Sequence, residues 1–149
     1  MLKFKSKFIT YIVNFFLLIW MLPQTITSLI GLAVFRNGEW YYNEDAKILV
    51  YKVNKGHLFG NACFSSGPII FVTPECSENT IKHETGHSVQ SLMFGPLFHI
   101  ITSIPSITLF WYKRLTNKDA KFYHSHWPEG GNKLCADELG HVDKSVYGL

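Results

Sequence analysis

Charge is missing from two long stretches of the sequence. No charged side chain occurs from Phe8 to Phe35, and from Ser88 to Tyr112 only His99 can carry a charge near neutral pH. Uncharged apolar runs of about this length are typical of segments that enter a lipid bilayer. The whole chain has 149 residues, enough for one domain with its own core. We therefore expect one domain that associates with membrane lipid.

The sequence also lacks a strong net charge and a cysteine pattern. A formal charge of +3 is too small to indicate nucleic-acid binding, and the lysines form no continuous basic strip, so we exclude a nucleic-acid partner. The three cysteines, Cys63, Cys76 and Cys135, are widely spaced, which fits neither a disulfide framework nor a CxxC metal site. We interpret them as small buried hydrophobic residues.

Residues 1–35 show the basic-then-apolar order of residues that is typical of a membrane segment. Three lysines, at positions 3, 5 and 7, precede an apolar run that pauses at Pro23 and then resumes. Signal peptides share this order, but the uncharged run is longer than the usual signal-peptide core. We favour an uncleaved segment, either one span or a hairpin turning at Pro23. By the positive-inside rule the lysines are cytoplasmic, so one span places the remaining chain outside and a hairpin leaves it inside.

Residues 36–76 are predicted to form a small antiparallel sheet. The segments AKILVYKV and GPIIFVTP are rich in β-branched residues, and Asn, Gly and Pro around them favour turns. The last strand is predicted at about 68–73. A helix is predicted at about 78–94, with Ser77 as its N-cap and an end near Gly95.

This predicted helix carries the sequence HETGH. Residues i and i+4 lie on one face of a helix, so His83 and His87 project their imidazoles toward a common point. Two neutral nitrogens from one helix are typical of a catalytic zinc site. Glu84 is rotated by about 100° from His83, which places it beside the ion, where it can take a proton from a water molecule. The spacing predicts a zinc site with Glu84 as the general base.

Gly86 lies inside the same motif and has two interpretations. Glycine within a helix costs about 1 kcal/mol relative to alanine. Either the missing side chain lets another backbone segment pack closely behind the two histidines, or the glycine is merely tolerated.

The stretch HETGHSVQSLMFGPLF, followed by IPS, resembles a pattern of small bacterial HExxH proteins, H-E-x-G-H-x-x-Q-S with G-P-L and I-P-S behind it. Those proteins look like membrane-associated relatives of the zincin metallopeptidases. The resemblance implies a zincin-like domain at 36–149 in the bacterial inner membrane, with His83 and His87 as zinc ligands and Glu84 as base. It also implies that the preceding strand, Pro68 to Thr73, holds an extended peptide substrate.

A catalytic zinc ion usually has three protein ligands, so one more is expected. Family members carry W-x-E shortly before A-D-x-L-G, and here WPE and ADELG match but lie farther apart. In the usual spacing the glutamate binds metal and the aspartate orients a histidine. We rank Asp137 first as the third ligand, because it lies in a short helix predicted from Asn132, and Glu129 as the alternative. His124 and His126 are interpreted as surface histidines, although one of them, or Tyr123, is a candidate donor to an oxyanion.

The zinc site also restricts residues 92–112. A straight crossing there would separate the ligands by about 30 Å of hydrocarbon, so we expect a hydrophobic helical hairpin broken at its prolines. Together these observations predict an α+β membrane-associated zinc metallopeptidase acting on peptide or protein substrates. Two rivals remain: a non-enzymatic membrane protein with a structural or inactive site, and a zinc-dependent amidase or lipid hydrolase.

Overall fold

The computed structural model describes residues 5–44, 48–53 and 63–149 and shows an α+β protein. In these ranges the helices are α1 (Lys7–Trp20), α2 (Leu22–Val34), α3 (Glu78–Phe94), α4 (Ile104–Leu115), α5 (Ala120–His124) and α6 (Ala136–Leu139). The strands are β1 (Glu39–Asn43), β2 (Ile48–Lys52), β3 (Phe64–Ser66) and β4 (Ile69–Val72).

The four strands form one mixed sheet in the order β1-β2-β4-β3. The expectation of an antiparallel sheet is therefore wrong in part: β1–β2 and β3–β4 are antiparallel, but β2 and β4 are parallel. The reason is that the chain places β3 on the outside and returns β4 between β3 and β2. The strand predicted at 68–73 is present as β4, but both of its edges are paired. The edge of the sheet on this side belongs to β3.

The two faces of the sheet carry different clusters of buried side chains, because successive residues of a strand point to opposite sides. One cluster combines Tyr51, Ile69 and Phe71 with Phe35, and Leu32 of α2 packs against it. The other consists of Ile48, Val50, Ile70 and Val72, and Ile81 of α3 packs against it. The sheet thus lies between α2 and α3, and α3 is held by an apolar surface beneath its first turns.

Helix α3 has the predicted bounds. Ser77 accepts a hydrogen bond from the Thr80 amide, which caps the first turn. The negative charge of Glu78 in that turn interacts favourably with the positive end of the helix dipole. The helix ends at Gly95, whose φ is +48°. A side chain there would collide with the Trp20 ring, so glycine is required both by the backbone conformation and by the close approach of α1.

Helices α1 and α2 form a bent pair, which we call the elbow. No described helix is both long and apolar enough to cross a bilayer alone. Taken together, the two helices of the elbow have the length and composition of a membrane span, but they are bent by 92° relative to each other. The bend falls at Met21, two residues before Pro23, where the hairpin alternative placed its turn. Gln24 donates to the Gly95 carbonyl at 2.5 Å and Trp20 donates to the Leu92 carbonyl at 2.9 Å. The elbow is thereby attached to the end of α3.

The predicted hairpin at about 92–112 has a different form. A 3-10 turn at Gly95–Leu97 redirects the chain, and the π-helical turn His99–Ser103 then runs into α4 with helical backbone angles throughout. Pro105 lies in the first turn of α4 and has no backbone N–H to donate, but the carbonyl of Ile101, four residues earlier, accepts a hydrogen bond from Nε1 of Trp127 at 3.1 Å, so the helix continues.

The prediction for the cysteines was wrong for two of the three. Cys63 and Cys76 form a disulfide, with Cα atoms 6.3 Å apart, that links the start of β3 to the residue before the α3 N-cap. Cys135 is free and completely buried, as predicted. Sequence spacing could not reveal the pair, because it is the β3–β4 hairpin that brings the two positions together.

Candidate metal centre

Helix α3 buries the polar residues of its motif. His83, Glu84 and His87 are each less than 9% exposed, and Gln90 is completely buried. These side chains meet the segment that contains Glu129 and Asp137, both of which are also completely buried. Buried polar groups of this number require partners, because an unpaired group in the interior costs roughly 1–3 kcal/mol.

The two histidines and Glu129 converge on one point. Nε2 of His83 and Nε2 of His87 both lie 2.9 Å from the same carboxylate oxygen, Oε2 of Glu129. Three ligands about 2.0–2.1 Å from a tetrahedral ion lie about 3.3 Å from one another, so shifts of a few tenths of an ångström would admit one. The buried His83, His87 and Glu129 could therefore hold a metal ion.

The other ring nitrogens decide where the imidazole protons are. Nδ1 of His83 lies 2.7 Å from a carboxylate oxygen of Asp137, and Nδ1 of His87 lies 2.8 Å from Oε1 of Gln90. The Gln90 amide is itself oriented, because its Nε2 donates to the backbone carbonyls of Pro128 and Leu134. Both acceptors require a proton on Nδ1, so in the neutral rings both Nε2 atoms present lone pairs to Glu129.

Three lone-pair atoms at hydrogen-bond distance with no proton between them repel one another, so the site requires a cation. Without a metal, protons take this place. Burial lowers the pKa of His83, but hydrogen bonds with Asp137 and Glu129 outweigh it and raise that pKa to about 10. Burial likewise opposes ionisation of Glu129, but His87 and His83 hold its pKa well below the usual range. The second oxygen of this carboxylate, Oε1, is buried without a hydrogen-bond partner, which fits a carboxylate that binds a cation.

Backbone hydrogen bonds bring Glu129 and Asp137 together although they are eight residues apart. The Asp137 amide donates to the Glu129 carbonyl at 3.0 Å, and the Ala136 amide donates to the Pro128 carbonyl at 2.9 Å. The intervening residues 130–135 form a loop outside this pairing. The two acidic side chains consequently contact opposite nitrogens of His83, with Glu129 at Nε2 and Asp137 at Nδ1. Asp137, which the sequence ranked first as a ligand, thus contacts the Nδ1 side of the His83 ring, away from the point where the two Nε2 atoms converge.

Gly86 faces this segment. A Cβ atom on Gly86 would lie 1.9 Å from the carbonyl oxygen of Ala136, so the backbone of α6 occupies the space where a side chain would be. Of the two interpretations of this glycine, close approach of another backbone is confirmed.

Glu84 lies beside the converging atoms and is not one of them. Burial raises the pKa of its carboxyl, although His87 and His83 act in the opposite direction. Its carboxylate is hydrogen-bonded to the side chain of Ser65 on β3. The general-base candidate therefore faces the edge strand of the sheet.

The three aromatic candidates of the YHSHWP segment differ in position. Tyr123 is partly buried, and desolvation of its hydroxyl together with the charge of Glu129 raises the pKa of that hydroxyl well above the usual value. His126 is exposed and bonds to the Phe122 carbonyl, as predicted for a surface histidine. The same prediction was wrong for His124, whose side chain is only 11% exposed and bonds to Asp137.

Sequence reasoning assigned no role to Gln90, although it decides the tautomer of His87. Its signal was its position three residues after His87, which places the two side chains next to each other on a helix.

Comparison with known proteins adds no relative. No protein-family model, curated protein or solved structure matches the chain.

Proposed function

We propose that this protein is a membrane-associated, zincin-like zinc metallopeptidase that hydrolyses peptide bonds. His83, His87 and Glu129 are the metal ligands in this proposal, and Glu84 is the general base. The single observation that carries it is the convergence of two Nε2 lone pairs and a buried carboxylate oxygen at 2.9 Å, with both Nδ1 atoms already engaged.

The donor set supports zinc as the metal. Two imidazoles and one carboxylate form the His₂Glu set of catalytic zinc sites, which leaves a fourth position for water or substrate. When bound, zinc supplies Lewis acidity, which polarises a carbonyl and lowers the pKa of a water molecule to about 7. Asp137 and Gln90 support the set from behind by holding each imidazole in the tautomer that a metal requires.

The chain's own residues account for the proton transfers. Glu84 is buried next to both ligand histidines without belonging to the ligand set, so its carboxylate can accept the proton of the attacking water and then deliver it to the amine that departs when the C–N bond breaks. The Tyr123 hydroxyl keeps its proton, because burial and Glu129 raise its pKa, so it can donate a hydrogen bond to the oxyanion that forms from the scissile carbonyl.

The edge strand supports an extended peptide as the substrate. Ser66 and Ile69 flank a two-residue turn in which Gly67 has a φ of +56°. Such a turn is closed by a hydrogen-bonded pair, and the next pair, Ser65 with Ile70, then directs its amide and carbonyl groups away from each other. The backbone of Ser65 thus points to the outer edge of β3, next to Glu84. We expect the substrate to add along β3, not along β4.

The surface supports the membrane part of the proposal. Many large apolar side chains of the elbow and of residues 98–115 are more than half exposed, among them Phe8, Phe15, Phe16, Leu29, Ile30, Ile104, Ile107 and Trp111. Contiguous apolar surface of this kind on a folded chain indicates a partner, and lipid is the partner that the uncharged sequence runs suggest. Lys113 and Arg114 close α4 beside Trp111, a combination typical of the headgroup region.

Comparing the native chain with Glu84→Gln tests the proposal. Purified protein of both kinds is analysed for zinc content, melting temperature and cleavage of a peptide library. The amide leaves the ligand set intact, so we expect about one zinc per chain in both. Turnover should fall by at least the roughly 10²–10⁴-fold typical of a lost general base.

The same measurements separate the rival functions. A structural site would show zinc in both proteins and no cleavage by the native chain. An amidase or lipid hydrolase would act on acyl-amide or ester substrates and spare the peptide library. Undiminished peptide turnover in a zinc-loaded Glu84→Gln protein would rule out the role proposed for this carboxylate.

A further inference from the structure

Asp137 is shared by two histidines. Oδ1 of Asp137 lies 2.7 Å from Nδ1 of His83, and Nδ1 of His124 lies 3.0 Å from Oδ2 and 3.2 Å from Oδ1 of the same carboxylate. The carboxylate is completely buried, so these two rings are its principal partners besides the backbone. A carboxylate bonded on one side only can rotate about its terminal torsion, whereas one bonded on both sides is held in a single orientation.

His124 is in turn held by Tyr147. The two rings are stacked, with centroids 3.7 Å apart and planes within 6° of parallel. Tyr147 belongs to the 3-10 turn Lys144–Tyr147, and Asn79 in the first turn of α3 attaches this turn. The side-chain oxygen of Asn79 accepts from the Asp143 amide at 2.9 Å, and its Nδ2 donates to the Tyr147 hydroxyl at 3.4 Å.

We infer that His124 is a positioning residue of the metal centre, which orients Asp137 and through it the ligand His83, with Tyr147 holding the His124 ring in place. The inference rests on the proposed metal site. His124 does not contact the converging ligand atoms; it acts on the second nitrogen of a ligand through one intervening carboxylate. A carboxylate that orients a ligating histidine directly typically contributes 10–100-fold to metal affinity, so the effect of a residue that acts through the carboxylate is expected at the lower end of this range.

The test compares zinc affinity, by competition with a chromophoric chelator, in the full-length protein in detergent. His124→Ala removes the donor to Asp137, and we expect about tenfold weaker binding. His124→Asn restores a side-chain N–H close to the position of Nδ1 and should recover most of the affinity. His126→Ala is the matched control, because this neighbouring histidine is exposed and bonds only locally. Tyr147→Phe keeps the stacked ring and should bind zinc normally, whereas Tyr147→Ala should resemble His124→Ala.

A second readout does not require a metal. In metal-free protein, NMR detects the Nδ1 proton of His83 while its hydrogen bond to Asp137 protects it from exchange with water. Exchange should be faster in His124→Ala than in the native chain and in His126→Ala. This measurement separates the two hypotheses, since a chain that binds no zinc refutes the proposed function yet still shows whether His124 orients Asp137.

Three results would overturn the inference. The first is a zinc affinity for His124→Ala within twofold of the native value together with unchanged exchange of the His83 proton. The second is an equal loss in His126→Ala, which would mean that the segment as a whole was disturbed. The third is two zinc ions per chain, which would make His124 a ligand of a second ion with His83 and Asp137 and not a positioning residue.

Discussion

Replacing Gly86 by alanine produces opposite effects under the two interpretations of this glycine. If the position were merely tolerated, alanine would stabilise α3 by up to about 1 kcal/mol through its higher helix propensity. In the structure, however, the new Cβ would lie 1.9 Å from the Ala136 carbonyl oxygen, about 1.5 Å closer than the 3.4 Å at which ordinary contact begins. The obstacle is backbone, so no side-chain rotation relieves it, and α6 must move away from α3.

The size of this displacement sets the expected cost. Overpacking in a well-packed interior costs about 1–3 kcal/mol, which exceeds the gain in helix propensity. A net loss of about 1–2 kcal/mol in the free energy of unfolding lowers the melting temperature of a chain of this size by roughly 2–8 °C. Zinc affinity should fall as well, because Ala136 directly precedes Asp137, whose 2.7 Å contact with His83 cannot survive a shift of more than about 1 Å.

Thermal unfolding of metal-free and zinc-loaded protein measures both effects. Thr85→Ala is the matched control, since it introduces alanine at the adjacent position of the same helix without adding an atom. We expect Thr85→Ala to melt close to the native chain in both states and Gly86→Ala to melt lower in both. A Gly86→Ala protein that melts at or above the native temperature and binds zinc normally would refute the close packing of α6 on α3.

Three further predictions concern the metal, the cysteines and the membrane. His83→Ala should lose stoichiometric zinc, because two remaining ligands hold a catalytic ion too weakly; one zinc per chain by elemental analysis would contradict the ligand assignment. Denatured, unreduced protein should expose one reactive thiol, that of Cys135, and three after reduction; three thiols before reduction would mean that Cys63 and Cys76 are not joined. A disulfide persists in an oxidising compartment, so we expect this count in protein whose domain lies outside the cytoplasm. The native chain should resist carbonate extraction and require detergent, whereas a monodisperse chain in plain buffer would argue against insertion through its exposed apolar surface.

Helix α3 is the element that the sequence predicted best. Its bounds, the Ser77 cap and the shared direction of His83 and His87 all follow from contacts between residues at most four positions apart, whereas the glycine at position 95 is also required by the distant Trp20 ring. Local hydrogen bonding and a fixed period decide such features, so they can be read from a short segment. The kink near Pro23 is local for the same reason, because a proline removes one backbone donor wherever it occurs.

The order of the strands depended on the tertiary structure. A period-2 pattern predicts that β4 is a strand, but it contains no information on which strands lie beside it, and β4 proved to be an interior strand with one parallel neighbour. The Cys63–Cys76 pair depends on the same chain reversal. The strand expected to hold the substrate therefore has no free edge, and the proposal places the substrate along β3 instead.

The different positions of the polar residues at the candidate metal centre also depended on the tertiary structure. Glu129, Asp137 and His124 are all polar residues of one loop-rich segment, and composition alone does not distinguish a ligand from a residue that orients one. The backbone pairing of 128–129 with 136–137 aligns the two carboxylates with opposite nitrogens of His83, and the turn at Lys144–Tyr147 brings an aromatic ring onto His124.

By itself the sequence determined the helix with its two imidazoles and a neighbouring carboxylate, since those lie within one helical turn or so of each other. Which acidic side chain faces the two Nε2 atoms was left to contacts between residues more than forty positions apart, which only the folded chain brings together.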